Sequence, residues 1–264
     1  MFHKNQEGNP QFIEGVGGWE IWQQPVDGGG YALGADPAEG LDPAESNNPD
    51  KTDRGIGDIL DVKSKTVVAK LRCRLHEDEF AEQLILAGTY YNMAMVGAEV
   101  NNKCGGAVLS VLKKSEYANL YFSKRYNKLT DEWTEKVGWI TDKLNRPMML
   151  NDLRQLIRGS QPYYEPLVEI PSAETITELF SFVVDKDGKP AASPGEHDDE
   201  VMALAITIQI AMAAAGCMTL GDFVSDAAMN EPKPVPDDEK QTFIDRINVA
   251  NAVDTFEDLE DDYE

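Results

Sequence analysis

The stretch Gly195-Glu196-His197-Asp198-Asp199-Glu200-Val201-Met202-Ala203-Leu204-Ala205 sets two adjacent aspartates where a loop turns into a helix. Beyond it, Ile206, Ile208, Ile210 and residues 211–215 are apolar on nearly every face. A helix that is apolar all round is a buried helix. The carboxylates of Asp198 and Asp199 therefore enter the domain on the first turn of a core helix. Acids also favour a helix N-terminus for a plainer reason: they cap free N–H groups and face the positive end of the dipole. For one acid that reason suffices. Two acids followed by Glu200, ahead of a helix that must be buried, crowd negative charge where repulsion and desolvation raise proton affinity. A divalent cation removes that cost, so the stretch points to metal binding.

Composition narrows the surroundings. The chain has 264 residues, a formal net charge of -23 and a pI near 4.4. Its length suits one large domain or one domain with tails. Such acidity argues against nucleic acid as a partner. The charge is uneven, however. Residues 230–264 hold twelve acids against Lys233, Lys240 and Arg246. This stretch is broken by prolines and poor in core-forming residues, so it is expected to be a disordered acidic tail. One short amphipathic piece, residues 243–249, interrupts it. Cys73, Cys104 and Cys217 form no C-x-x-C and are odd in number, which points to core thiols in a reducing compartment. His3, His76 and His197 are too scattered for a zinc site by spacing. No segment reads as a signal peptide, and the apolar run 203–215 is too short to span a bilayer.

Two further acids close apolar runs. Tyr31-Ala-Leu-Gly-Ala35 reads as a buried strand ending at Asp36-Pro37, and residues 93–98 as a second strand ending at Glu99. Each ending alone is an ordinary strand terminus. Between them, residues 41–54 read as a loop, residues 55–62 and 66–75 as a hairpin, and residues 77–91 as an amphipathic helix. On the second hairpin strand Lys70, Arg72 and Arg74 alternate with Leu71, Cys73 and Leu75, giving one basic face, most simply a solvated one. Downstream, helices are expected over 105–114, 145–158 and 172–182, with a strand near 119–123 and an aromatic connector at 133–141. Asp185-Lys-Asp-Gly188 reads as a turn, because its glycine comes too early for an EF-hand loop. The succession of strand, hairpin, helix, strand and helix predicts an α/β domain with a mixed central sheet. A sheet with the first long strand central would gather Asp36, Glu99 and Asp198/Asp199 at one edge. Such a set suits hard cations, and two ions about 4 Å apart would activate water and stabilise the leaving oxygen in phosphodiester cleavage.

These three motifs together resemble the nuclease domain of the large terminase subunit of tailed bacteriophages. They are Tyr31-Ala-Leu-Gly-Ala-Asp36-Pro-Ala-Glu-Gly40, Val96-Gly-Ala-Glu99-Val-Asn-Asn102 and the run from Gly188 to Ala205. The resemblance covers roughly residues 30–215. It implies a ribonuclease H-like fold and a metal-dependent DNA endonuclease that cuts concatemeric viral DNA during genome packaging. It implies Mg2+ or Mn2+, two ions, with Asp36 bridging both, Glu99 holding one, and Asp198 or Asp199 the other. His197 either assists or packs the loop. Double-stranded DNA is the implied substrate, and the basic residues of the chain that could touch its phosphates are Lys63, Lys65, Lys70, Arg72, Arg74 and Lys103. The implied partners are the portal, the small terminase subunit and a packaging ATPase half, in the cytoplasm of the infected host, with no membrane. No G-x-x-x-x-G-K-[ST] occurs in the chain, so no ATPase is expected here. The expected layout is a lead-in from the ATPase half over 1–29, the nuclease domain over 30–229 and the tail over 230–264. Two alternatives remain open: another ribonuclease H-like nuclease, such as a resolvase or transposase core, and a non-catalytic docking domain of the packaging motor.

Overall fold

The chain begins with a small hairpin of β1 (Phe2–Lys4) and β2 (Pro10–Phe12), followed by β3 (Trp19–Ile21) and the long strand β4 (Tyr31–Asp36). Strands β5 (Gly55–Asp61) and β6 (Thr66–Cys73) form the expected hairpin, then come α1 (Glu77–Tyr90), β7 (Met95–Ala98) and α2 (Lys103–Lys114). A second hairpin, β8 (Phe122–Asn127) and β9 (Glu132–Val137), precedes α3 (Asn145–Arg158) and α4 (Ala173–Ser181). A short pair, β10 (Phe182–Val184) and β11 (Pro190–Ala192), leads to the buried helix α5 (Asp199–Ala214) and to α6 (Leu220–Ala228). This computed structural model describes residues 1–228 apart from 16, 39–53, 102, 128–130, 160–164, 185–189 and 194–195. The expectations for residues 41–53, for the turn at 185–188 and for the acidic tail lie outside the described residues.

The central sheet has five strands in the order β3-β6-β5-β4-β7, with β4 parallel to β7 and the other pairs antiparallel. This is the mixed central sheet that the element order predicts. Strand β4 lies between β5 and β7 and is covered on both sides, which explains its unbroken apolar run. Alternate residues serve two separate cores. Tyr31, Leu33 and Ala35 pack with α1 and α2 residues such as Leu84 and Val108, while Ala32 packs with Leu204 and Ile208 of α5 and Leu153 of α3. Period-2 alternation then puts Gly34 and Asp36 on the face that α5 covers.

Glycine permits the close approach of α5. A Cβ on Gly34 would lie 2.5 Å from Thr207 Cα, and one on Gly97 would lie 2.6 Å from Ile210 Cδ1. These two glycines are paired across β4 and β7. Helix α5 thus rests directly on backbone where the two acid-bearing strands run side by side.

Three expectations are corrected. Residues 1–29 do not stand outside the domain: Phe2 and Trp19 are buried in the α1-side core, and β3 pairs with β6. Gln83 of α1 fastens this segment, accepting from Phe2 N at 3.0 Å and Trp19 Nε1 at 3.1 Å. Residues 133–141 are no mere connector, since β9 pairs with β8 along its length. The strand expected from Met93 starts at Met95, because Asn92 and Met93 have φ values of 53° and 59°, a left-handed turn. After Gly216 the chain forms α6, whose Phe223 is buried under the Lys65 ammonium, 4.6 Å from the ring centre. Among the described residues no helix is long and apolar enough to cross a membrane.

Candidate functional site

Strands β4 and β7 end together. Ala35 pairs with Ala98, and Glu99 N donates to Ala35 O at 2.8 Å, so the next residue of each strand, Asp36 and Glu99, stand side by side. The same alternation that turns Asp36 toward α5 turns Glu99 there too, one step beyond Ala98, which faces the opposite core. Two carboxyls here share a hydrogen bond. Burial, the Glu99 charge, that hydrogen bond and then the charges of Asp199 and Asp198 push the Asp36 carboxyl well above the usual range. The order matters. Desolvation is the largest cause, and all three other acids act on the same side. The structure therefore brings Asp36, Glu99, Asp198 and Asp199 within electrostatic reach at one end of the sheet.

The two aspartates of α5 do not act as ordinary caps. Asp198 is the N-cap residue, yet its side chain makes no capping hydrogen bond. Its Oδ2 instead accepts from Arg146 Nη2 at 2.9 Å, while Arg146 Nη1 donates to Pro190 O at 2.7 Å. Asp199 Oδ2 accepts from Arg54 N at 3.3 Å. With these partners in place, no three His, Cys, Asp or Glu side chains among the described residues stand ready to hold a metal ion. The donor chemistry nonetheless suits a hard cation: four carboxylates, all oxygen ligands, whose mutual repulsion is written into the raised proton affinity of Asp36. His197, half-buried, precedes them in the loop.

Sequence reasoning missed what lies beneath. Glu200 is 2% exposed, Lys70 2% and Asp58 0%. Lys70 Nζ lies 2.9 Å from Asp58 Oδ1 and also donates to Glu200 Oε2. Glu200 further accepts from Thr175 Oγ1 at 3.0 Å and pairs with Arg72 Nε at 3.0 Å. Burial would lower the Lys70 ammonium, but the charges of Asp58 and Glu200 outweigh it and hold its value up. Beside this cluster Glu178 of α4 accepts from Val201 N at 2.8 Å, and burial pushes its carboxyl up to about 7. The alternation of Lys70, Arg72 and Arg74 was visible in sequence. That the face lies under α5, and is met there by Glu200, was not.

The candidate DNA contacts divide accordingly. Lys70 is a buried ion-pair partner, so its assignment to DNA is corrected. Lys65 is 3% exposed and covered by Phe223, which corrects that assignment too. Lys63 is exposed, but it sits at the hairpin tip beside Asp61, and Asp61 pairs with Tyr31 at the far end of β4 from Asp36. Lys103 is exposed at the start of α2, four residues past Glu99. Arg72 and Arg74 are half-buried near the acids: Arg72 pairs with Ile56, which on its other side pairs with Asp36. Arg54, opposite Arg74 if the register is continued, joins them. Its guanidinium is held below its ordinary value by burial and by the charges of Arg72 and Arg74, against Glu200 and Asp199.

No protein-family model matches the chain, and no curated protein matches it. Solved structures do. The large terminase nuclease from thermophilic phage G20c with bound cobalt is 18% identical, covering 74% of this chain and 89% of that one, at a TM-score of 0.54. The same nuclease with bound magnesium is 17% identical over the same shares, at 0.53. The large terminase nuclease domain of Thermus phage P74-26 is 16% identical, covering 74% of this chain and 86% of that one, at 0.50. The chain has the fold of these domains.

Proposed function

We propose that this chain is a large terminase nuclease domain, a metal-dependent endonuclease that cuts concatemeric viral DNA during genome packaging. One observation carries the reading. Asp36 and Glu99 end adjacent parallel strands, side by side, under the N-terminus of the helix that begins at Asp198 and Asp199, in the fold of terminase nucleases. In this reading Asp36 would serve both ions, and Glu99 and one of Asp198 and Asp199 would hold one each. Mg2+ or Mn2+, two ions, would supply an activated water and stabilisation of the leaving oxygen. The magnesium and cobalt bound by the G20c domain support a divalent ion here. Asp36 must give up its shared hydrogen bond with Glu99, and Asp198 its ion pair with Arg146, before both serve as ligands. Arg54, Arg72 and Arg74 line the approach and would meet backbone phosphates, with Lys103 on the β7 side. His197 would act through the loop that carries Asp198. In the same reading the substrate is double-stranded DNA, the partners are the portal, the small terminase subunit and an ATPase half, and the setting is the cytoplasm of the infected host.

A second reading, a docking domain without catalysis, is favoured by one observation: among the described residues no metal-holding triad stands preassembled. Plasmid digestion with Mg2+ or Mn2+, with and without EDTA, on wild type and Asp36→Ala decides between them. Metal-dependent nicking that Asp36→Ala abolishes supports the nuclease. A wild type inert in both metals supports docking.

A further inference from the structure

Asp58, Lys70 and Glu200 form a buried cluster with Arg72 at its edge, and of these only Arg72 has a part in the chemistry just described. The cluster links three elements: Asp58 on β5, Lys70 and Arg72 on β6, and Glu200 on the first turn of α5, with Thr175 of α4 adding a hydrogen bond. Its formal charges cancel, two acids against two bases. Stability is a weak reason for such a cluster. Apolar residues of similar volume usually serve as well at a buried sheet–helix contact, because taking charges out of water costs about what their attraction returns. Here the cluster is not even complete, since Asp58 Oδ2 is buried with no hydrogen-bond partner among the described residues. What directional bonds give, and apolar contacts do not, is a fixed orientation.

The sheet–helix contact needs that. Beyond its first turn helix α5 is apolar except at Thr207 and Gln209, and it rests on the glycines of β4 and β7. Its one side-chain bond to a neighbouring element there, among the described residues, is Gln209 Nε2 donating to Asp152 Oδ2 of α3 at 3.0 Å. Packing on glycines and a hydrogen bond far down the helix leave the phase of the first turn to the groups that meet it there. Glu200 directly follows Asp199, and successive helix residues differ by about 100° in direction. Any rotation of the first turn therefore swings Asp199 and Asp198 relative to Asp36 and Glu99. Lys70 holds the Glu200 carboxylate from the sheet, Arg72 and Thr175 hold it from either side, and Val201 N is bound by Glu178.

We infer that Lys70 and Glu200 are positioning residues that lock the first turn of α5 in the phase that sets Asp198 and Asp199 opposite Asp36 and Glu99. The inference rests on the metal-site reading and adds to it residues that touch neither metal nor DNA. It also removes Glu200 from the ligand set, since its oxygens are already engaged.

The test uses the triple variant Asp58→Leu/Lys70→Met/Glu200→Met, in which Arg72, 36% exposed at its side chain, can turn to solvent. Two quantities are read: the melting temperature in EDTA, and the Mn2+ concentration giving half the maximal metal-dependent melting shift. Plasmid nicking against Mn2+ is read in parallel. The triple variant should melt in EDTA close to wild type or above it, while its Mn2+ midpoint rises roughly 10- to 100-fold, the usual effect of losing the groups that orient ligands. Thr175→Val, which deletes only one hydrogen bond to Glu200, covers the case in which the triple variant does not fold. It should shift the midpoint the same way by roughly two- to fivefold. A wild type that responds to Mn2+, with variants that share its midpoint, overturns this inference alone. A wild type with no Mn2+-dependent shift overturns the metal site and this inference with it.

Discussion

The Asp198 carboxylate lies 2.9 Å from Arg146 Nη2, and that guanidinium is itself anchored on the Pro190 carbonyl. An acid expected to bind metal is thus already neutralised by a side chain from α3. Arg146→Gln should lower the Mn2+ midpoint, because Asp198 would no longer exchange one cation for another. Both side chains are about a third exposed, so the pair is worth at most about 1 kcal/mol and the gain should not exceed roughly fivefold. A metal-dependent melting titration of the variant checks it. A raised midpoint would instead make Arg146 a group that holds Asp198 in its working position.

Asp36→Ala, Glu99→Ala and an Asp198/Asp199 double change should each reduce nicking to background without unfolding the domain. In the metal-free state the four acids repel one another and Asp36 is desolvated, so losing one should leave the melting temperature in EDTA unchanged or raised. A variant that nicks plasmid at the wild-type rate would remove its residue from the site.

Glu178 predicts a pH dependence. Its carboxyl is raised from 4.5 to about 7 in the folded state, chiefly by burial. Between those values the folded chain binds more protons than the unfolded one, so this group favours folding most below the lower value and the benefit is lost as pH rises through about 7. Glu178→Gln keeps an acceptor for Val201 N and removes the titration. In EDTA the variant should therefore gain melting temperature over wild type as pH rises through that window, with a constant difference above it. Melting curves from pH 4 to pH 8.5 measure this, and a difference independent of pH would contradict it.

Backbone contact at Glu99 gives another handle. A Cβ on Gly105 would lie 2.1 Å from the Glu99 carbonyl oxygen. Gly105→Ala must therefore move either the start of α2 or the end of β7. The expected cost is about 1–3 kcal/mol, as for other forced overpacking. Nicking at saturating Mn2+ should fall further than the lost stability explains. Gly106→Ala, where an added Cβ meets nothing within 4 Å, is the control and should behave as wild type.

Much of this architecture could be read from the chain alone. The apolar runs ending at Asp36 and Glu99 announced two buried strands, and the all-round apolar run after Asp199 announced a buried helix. What could not be read depends on which element covers which face. Lys70 looks like a surface residue because its neighbours alternate as on a solvated strand. Only the α5 crossing, with Glu200 at its first turn, makes that face an interior. Arg146 and Arg54 are 52 and 145 residues from the acids they meet, and no local pattern reports such pairs. The N-terminal segment misled for a related reason. Its few apolar residues are spread over short strands, and their burial depends on Gln83 of α1 closing over Phe2 and Trp19.

The arrangement of arginines predicts how the domain meets DNA. A net charge of -23 opposes binding at long range. The basic groups near the acids are Arg54, Arg72, Arg74 and Arg146, of which Arg72 is partly spent on Glu200 and Arg146 on Asp198. Binding should therefore be weak, indifferent to sequence and steeply salt-dependent, since each neutralised phosphate contributes about 0.9 to the slope of log affinity against log salt. Arg74→Ala should lower that slope by about one contact's worth. Lys63→Ala should leave it unchanged, because Lys63 lies at the other end of the hairpin, beyond Asp61, whose partner Tyr31 begins β4. Lys70→Met should leave the slope unchanged as well, because its ammonium is buried between Asp58 and Glu200. Titrations of two unrelated short duplexes at two salt concentrations, with Ca2+ in place of the catalytic metal, measure all three variants. A slope reduced by Lys63→Ala and untouched by Arg74→Ala would move the DNA path to the opposite end of the sheet. Tight binding to one duplex, little changed by salt, would mean that the domain reads sequence through its base contacts.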